Sequence, residues 1–396
     1  MKKNESLIIT GNVSSNLGDI LYNFGLNWWI VSVTGNSQLL GLIVSISTIP
    51  VIFSNLISGV ISDNFNKKKI IVLMDFLTFL ACLLLAIFSD PNEVNIIAVI
   101  ILNSLIGIFY SIFSPAARSI IPVLIKKDLI KKTNSRISSL NETMKIIAPL
   151  LGGILVTLPI FNIQYYFAFI SVTFLISTIL EIFIDNPPNI YKKNINYVKD
   201  FCDGFKYVYK QRPLFFLLIT ASIINFFIAG YNVLLPNIAN TLSNQKFFYS
   251  LIISLEAIGA VVGALSLNFS KKSDVDIKLI QKELFFCGIP LILCSLYYGL
   301  IPIIISSFIF GLFLTRFNIQ FFTYLQINVE EYVLGRVFSF VFTISIIFMP
   351  LGSSLFGYLS IFPMYILLFT IGLGISLSSV ILILARFNNM YVSPKK

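Results

Sequence analysis

Five polar side chains interrupt an apolar run near the N-terminus. Asn12, Asn16, Asp19, Asn23 and Asn27 follow one another at steps of four, three, four and four, which places them on one face of a helix. Asp19 lies well inside that run, near mid-depth if the run crosses a bilayer. A central aspartate costs roughly 2.5–3.5 kcal/mol on insertion scales, so it needs a partner or a task. The task open to an isolated intramembrane carboxyl is to take up and release a proton. Glu256 occupies a similar place in a later run, so Asp19 and Glu256 are the candidate proton-coupling groups. For Asp19 the alternative is a structural acid paired with a base.

Polar stripes of this kind suit a water-filled cavity better than lipid. Asn16, Asn23 and Asn27, with Phe24 beside them, are candidate wall residues. So are Asn225 and Asn232, which share a face with Ser222 and are flanked by Phe226 and Tyr231. Arg316 could neutralise Glu256, contact an anionic group, or snorkel to the interface. Glu142 and Lys145 have the spacing of an internal pair. Asp75, Glu181 and Glu283 lie toward the ends of their runs and are expected at the interface, with Asp75 near the Lys67–Lys69 cluster. Trp28 and Trp29 fit an aromatic belt at the far end of the first span.

The elements that must hold these groups follow from composition. The 396 residues are 57% hydrophobic and 12% charged, about half the usual charged share. Mean hydropathy is +0.89. Only lipid can accept so much apolar surface, and without water the backbone must close its own hydrogen bonds in helices or a barrel. The apolar runs are about 20 residues long, which selects helices. They fall near 7–33, 38–61, 70–89, 94–117, 137–158, 163–184, 214–240, 247–269, 279–298, 301–324, 333–358 and 362–386, twelve in all. The first is long, carries Asp19 and has no small-residue cleavage site, so a retained span is expected.

The net charge of +10 is concentrated in alternate loops. With the N-terminus in the cytoplasm, every cytoplasmic loop is basic, and Lys246 is the lone clear exception on the other face. This pattern predicts a multi-pass protein of the cytoplasmic (inner) cell membrane with both termini inside, and it reads as membrane orientation rather than nucleic-acid binding. There is no histidine and no P-loop string, so no catalytic residue, metal or cofactor is expected. Cys82, Cys202, Cys287 and Cys294 read as small core residues or free thiols.

The longest polar stretch divides the chain into a six-helix bundle over 1–184, a linker over 185–212 and a second bundle over 213–396. Tyr197, Phe201, Phe205 and Val208 give the linker an amphipathic helix, with Lys199, Asp203, Lys206 and Lys210 on its other face. The halves repeat. Gly107-Ile108-Phe109 recurs as Gly311-Leu312-Phe313, Phe113 as Phe317, and Pro149-Leu150 as Pro350-Leu351. Leu42 to Ser45 resembles Leu251 to Ser254. Two such bundles would hold a substrate between them and rock around it.

After the second run, Gly59, Asp63 and the basic Lys67, Lys68 and Lys69 resemble the loop signature of the major facilitator superfamily. Pro149, Gly152 and Gly153 resemble the end of that superfamily's antiporter signature, with Ala148 where the signature has glycine. Leu17-Gly18-Asp19, Thr34-Gly35-Asn36-Ser37, Phe113-Ser114-Pro115-Ala116-Ala117, Pro122 and Leu334 to Ser339 resemble the macrolide-efflux branch. The resemblance implies an all-α fold of twelve transmembrane helices in two pseudo-symmetric bundles. It also implies a loop motif that latches the halves and an exporter helix at Pro149, Gly152 and Gly153.

The expected function is proton-antiport efflux of a hydrophobic or amphipathic compound, a macrolide-like drug, by a monomer in the lipid bilayer. The expected partners are a small-molecule substrate and protons. Export of a self-made siderophore or peptide is the alternative, and a membrane-embedded enzyme or sensor is the rival from another class.

Overall fold

The computed structural model describes residues 2–125, 127–158, 162–185, 205–242, 247–268, 277–329 and 331–389. Among them are twelve long helices. In the first part of the chain these are α1 (Lys2–Thr34), α2 (Ser37–Asn64), α3 (Lys67–Phe88), α4 (Ile96–Leu124), α5 (Lys127–Thr157) and α6 (Ile163–Ile182). In the second they are α7 (Arg212–Leu242), α8 (Phe247–Asn268), α9 (Ile277–Leu296), α10 (Leu300–Asn328), α11 (Glu331–Tyr358) and α12 (Met364–Asn389).

Eleven of these are long and apolar enough to cross a membrane. The exception is α1. Its 33 residues reach about 50 Å at 1.5 Å per residue, but its polar stripe lowers the hydropathy of every window. Apolar side chains cover the outside, with Phe53 66% and Ile97 72% exposed, as lipid-facing surface requires.

Helix ends follow the local sequence. Asn36, Asn66, Asn95 and Asn162 each cap the helix that follows, their side chains accepting from the amides of Gln38, Lys69, Ala98 and Tyr165. Gly35 turns the chain between α1 and α2 at φ +63°, a conformation that favours glycine. The sequence places the fifth run at 137–158, whereas α5 begins ten residues earlier with a polar, basic extension. In the linker, residues 205–210 are helical, with Val208 buried and Phe205 edge-on to Phe340. The linker positions Asn186, Tyr197, Lys199, Phe201, Cys202 and Asp203 lie outside the described residues.

The chain forms two compact units, Met1–Ile195 with Gln245–Ser250, and Asn196–Asn244 with Leu251–Lys396. In the first, α1 packs on α5 and α6, α3 on α4 and α6, and α2 on α4. In the second, α7 packs on α11 and α12, and α9 on α10 and α12. The neighbours of α1 and α3 thus recur six helices later.

The repeated glycines explain two close helix contacts. A Cβ on Gly107 in α4 would meet the Val51 side chain of α2, and one on Gly311 in α10 would fall on the Glu256 carbonyl of α8. Gly259 and Gly263, four apart on α8, likewise admit the carbonyls of Phe308 and Leu312. A backbone carbonyl cannot swing aside as a side chain can. Gly311→Leu is therefore expected to cost about 1–3 kcal/mol or more and to lower the yield of monodisperse protein by size-exclusion chromatography. Gly107→Ala should be milder.

Candidate functional site

Three helix faces of the first unit line an open cavity of about 510 Å³. Asn12, Ser15 and Asn16 come from the polar stripe of α1. Tyr110, Phe113, Ser114, Ala117, Arg118 and Ile121 form one face of α4 at helical spacing. Asn134, Ile137, Ser138 and Asn141 do the same on α5. Asn141 donates to Asn12 Oδ1 at 3.1 Å, tying α5 to α1. Asn141 Oδ1 and Asn16 Nδ2 are buried without a hydrogen-bond partner among the described residues. Arg118 takes part in none of the ion pairs found among the described residues. Tyr110 lies within electrostatic reach of both Arg118 and Asp19, which links the cavity to that acid.

Asp19 is half-buried, and Asn23 Nδ2 donates to its carbonyl at 2.9 Å. Two further acids of this unit sit on other helices. Asp75 of α3 is within its electrostatic reach, and Glu181 of α6 is within that of Asp75.

Asp75 and Glu181 do not lie at the interface, as their sequence positions suggest; both are 2% exposed. Ser15 Oγ donates to Asp75 Oδ1 at 3.0 Å, so Asp75 turns inward to α1 rather than toward Lys67–Lys69. Asp75 Oδ2 and Glu181 Oε2 are buried and unbonded among the described residues, and neither acid has a cation at ion-pair distance there. Unpaired buried charge is costly, while Asn can still accept from Ser15. Asp75→Asn is therefore expected to leave the protein between neutral and about 2 kcal/mol more stable, read as an unchanged or higher thermal midpoint.

In the second unit, Arg316 is committed. Its Nε and Nη2 donate to Glu283 Oε2 and Oε1 at 2.9 and 2.7 Å, and its Nη1 to Ser266 Oγ at 2.6 Å. Gln320 adds a bond to Glu283 Oε1 at 3.3 Å. Arg316 thus neutralises Glu283, not Glu256, and Glu283 is buried rather than interfacial. Glu256 is half-buried against Gly311, with no ion pair among the described residues.

Asn16 lines the cavity; Asn23 is exposed and Asn27 half-buried. Phe24 is buried against Gly152, with Gly153 and Pro149 buried nearby on α5. Asn225 donates to the Ala221 carbonyl, and Phe226 packs on Phe227 and Phe356. Tyr231 is buried between Ser307 and Phe310, and Asn232 is exposed.

Trp28 and Trp29 are 5% and 4% exposed, and Trp29 Nε1 donates to the Asp90 carbonyl. They face protein rather than forming a belt. The expected internal pair of α5 is present, with Lys145 Nζ meeting Glu142 Oε1 at 2.7 Å. Gly59 and Asp63 lie in the last two turns of α2, but the Asp63 side chain lies outside the described residues. Lys67, Lys68 and Lys69 open α3, with Lys67 Nζ on the Ser62 carbonyl.

A family model described as transmembrane secretion effector matches residues 3–393. Macrolide efflux protein A of Streptococcus pyogenes is 22% identical over 354 residues, 87% of this chain and 86% of that protein. The staphyloferrin A transporter of Staphylococcus aureus is 23% identical over 330 residues, 82% of each. Among solved structures, a bacterial homologue of the iron transporter ferroportin superposes with a TM-score of 0.76 at 16% identity, covering 97% of this chain and 99% of that one. At that identity the likeness shows the fold alone.

Proposed function

Since the chain belongs to the transmembrane secretion effector family of major facilitator transporters, a family of transporters and not of enzymes, we propose that it exports an amphipathic small molecule in exchange for protons. The observation that carries this reading is Asp19, an acid inside the bundle on the same helix face as Asn12 and Asn16, which line the polar cavity. The macrolide efflux relative supports a drug-sized substrate.

In this reading the basic loops lie in the cytoplasm with both termini, and the membrane is the cell membrane. The bundles over 1–184 and 213–396 alternate access as a monomer. The Gly59–Lys69 segment acts as the conformational loop motif, and Pro149, Gly152 and Gly153 shape the exporter helix. Protons return through Asp19 or Glu256.

The test is dye or drug uptake into everted membrane vesicles under an imposed pH gradient. Full gradient-driven uptake in both Asp19→Asn and Glu256→Gln overturns proton antiport. Export of a self-made compound is a second reading, favoured by the staphyloferrin A transporter relative. A resistance phenotype on expression would favour drugs instead.

A further inference from the structure

We propose that the cavity between α1, α4 and α5 is a subsite for an organic anion, and that Arg118 binds the substrate's carboxylate or phosphate group. The proposal rests on the export reading and names the chemistry of what is exported.

Among the described residues, Arg118 is the only charged one lining the cavity, and no carboxylate lines it. Its guanidinium is committed to no ion pair among them. This contrasts with Arg316, which is fully engaged by Glu283 and Ser266. A guanidinium presents a planar fork of donors that matches carboxylate and phosphate oxygens.

Arg118 also stands where a ligand can reach it. It lies on the face of α4 that carries Tyr110 and Ser114, and it lines the cavity with Asn134 and Ser138 of α5. The rest of the wall offers what an amphipathic anion needs. The Asn12, Asn134 and Ser138 side chains add polar groups to the same wall. Phe113, Ile121 and Ile137 add apolar surface. A volume of about 510 Å³ is within the range of small-molecule sites.

A basic drug would meet Arg118 as a like charge, so the cavity selects against cations. An interior-negative membrane potential drives an anion outward. Export of such a compound is therefore favoured with or without a proton, and the anion site and proton antiport stand or fall separately.

The test uses full-length protein in lipid nanodiscs and two dyes of one scaffold. Fluorescein is an anion at neutral pH, and rhodamine 123 is a cation. Binding is followed by fluorescence polarisation, with citrate and dodecanoate as unlabelled anionic competitors. The expected result is binding of fluorescein, displaced by at least one competitor and weakened about tenfold or more in Arg118→Gln, the loss of a charge-assisted bond. Arg118→Lys should retain part of the affinity. Asn134→Asp keeps Arg118 and adds a carboxylate to the wall, and it should weaken fluorescein binding even if Arg118→Gln folds poorly.

Preference for rhodamine 123, fluorescein binding that Arg118→Gln and Asn134→Asp leave unchanged, or no binding of any of the anions would overturn the proposal. Arg118-dependent binding without pH-driven transport of fluorescein would leave the site standing and remove proton antiport. pH-driven transport independent of Arg118 would do the reverse.

Discussion

Arg316→Gln is expected to destabilise the second unit by about 3–5 kcal/mol and to remove most of the folded protein from the membrane fraction. Both oxygens of Glu283 receive the guanidinium, and the Glu283 side chain is only 6% exposed. Taking the cation away leaves a buried carboxylate with Gln320 as its remaining donor. Glu283→Gln should cost less, because Arg316 is 23% exposed and keeps its bond to Ser266. Replacing both residues by glutamine should recover much of the loss, since two neutral amides can bond each other and neither charge is stranded. Thermal unfolding of the four proteins in detergent forms a double-mutant cycle. A single Arg316→Gln variant as stable as the wild type would show that the bridge is not what joins α8, α9 and α10. The Lys145–Glu142 pair is a control, since it runs along one helix and is about half exposed at both ends. Breaking it should cost about 0–1 kcal/mol.

The helices were legible because hydrocarbon imposes a simple rule. Any span must run about 20 apolar residues, and the run boundaries read from the sequence differ from most helix ends by only a few residues. The exceptions follow from the same rule. Polar extensions such as the start of α5 lie beyond the apolar window, so periodicity in hydrophobicity does not reveal them. The glycine repeat at 107 and 311 was also readable, because close helix contact at corresponding places demands a residue without a side chain.

The site was legible only in part. The asparagine stripe of α1 could be read because five polar groups on one face stand out against an apolar run, and Asn12 and Asn16 do line the cavity. The facing walls could not be read in the same way. On α4 the lining residues Tyr110, Phe113, Ser114, Ala117, Arg118 and Ile121 mix apolar and polar types, so no stripe emerges. Their helical spacing is the signal that was available, and it needs the α1 face opposite to give it meaning. Asp75, Glu181 and Glu283 show the complementary limit. Distance along the chain to a basic loop suggests depth, but the direction in which a helical side chain points decides burial, and pairing between helices decides partners. Depth alone therefore leaves Arg316 open to Glu256, to an anionic group or to the interface, while geometry gives it to Glu283.

Asp19→Asn is expected to reduce pH-gradient-driven uptake in everted vesicles to the level of empty membranes while leaving gradient-free substrate binding in place. The amide keeps nearly the same shape and can still accept from Asn23, so the polar face of α1 should survive. Only the exchangeable proton is lost. Glu256→Gln should have the smaller effect. Glu256 is held against α10 at Gly311, whereas Asp19 lies on the same face of α1 as Asn12 and Asn16, which line the cavity. A proton arriving at Asp19 therefore changes the charge of the helix face that also lines the cavity through Asn12 and Asn16. Asp19→Glu should keep measurable coupling, because it restores the titrating group one methylene farther out. Coupling lost in Glu256→Gln and retained in Asp19→Asn would move the proton site to the second unit and leave the α1 stripe with a purely structural task.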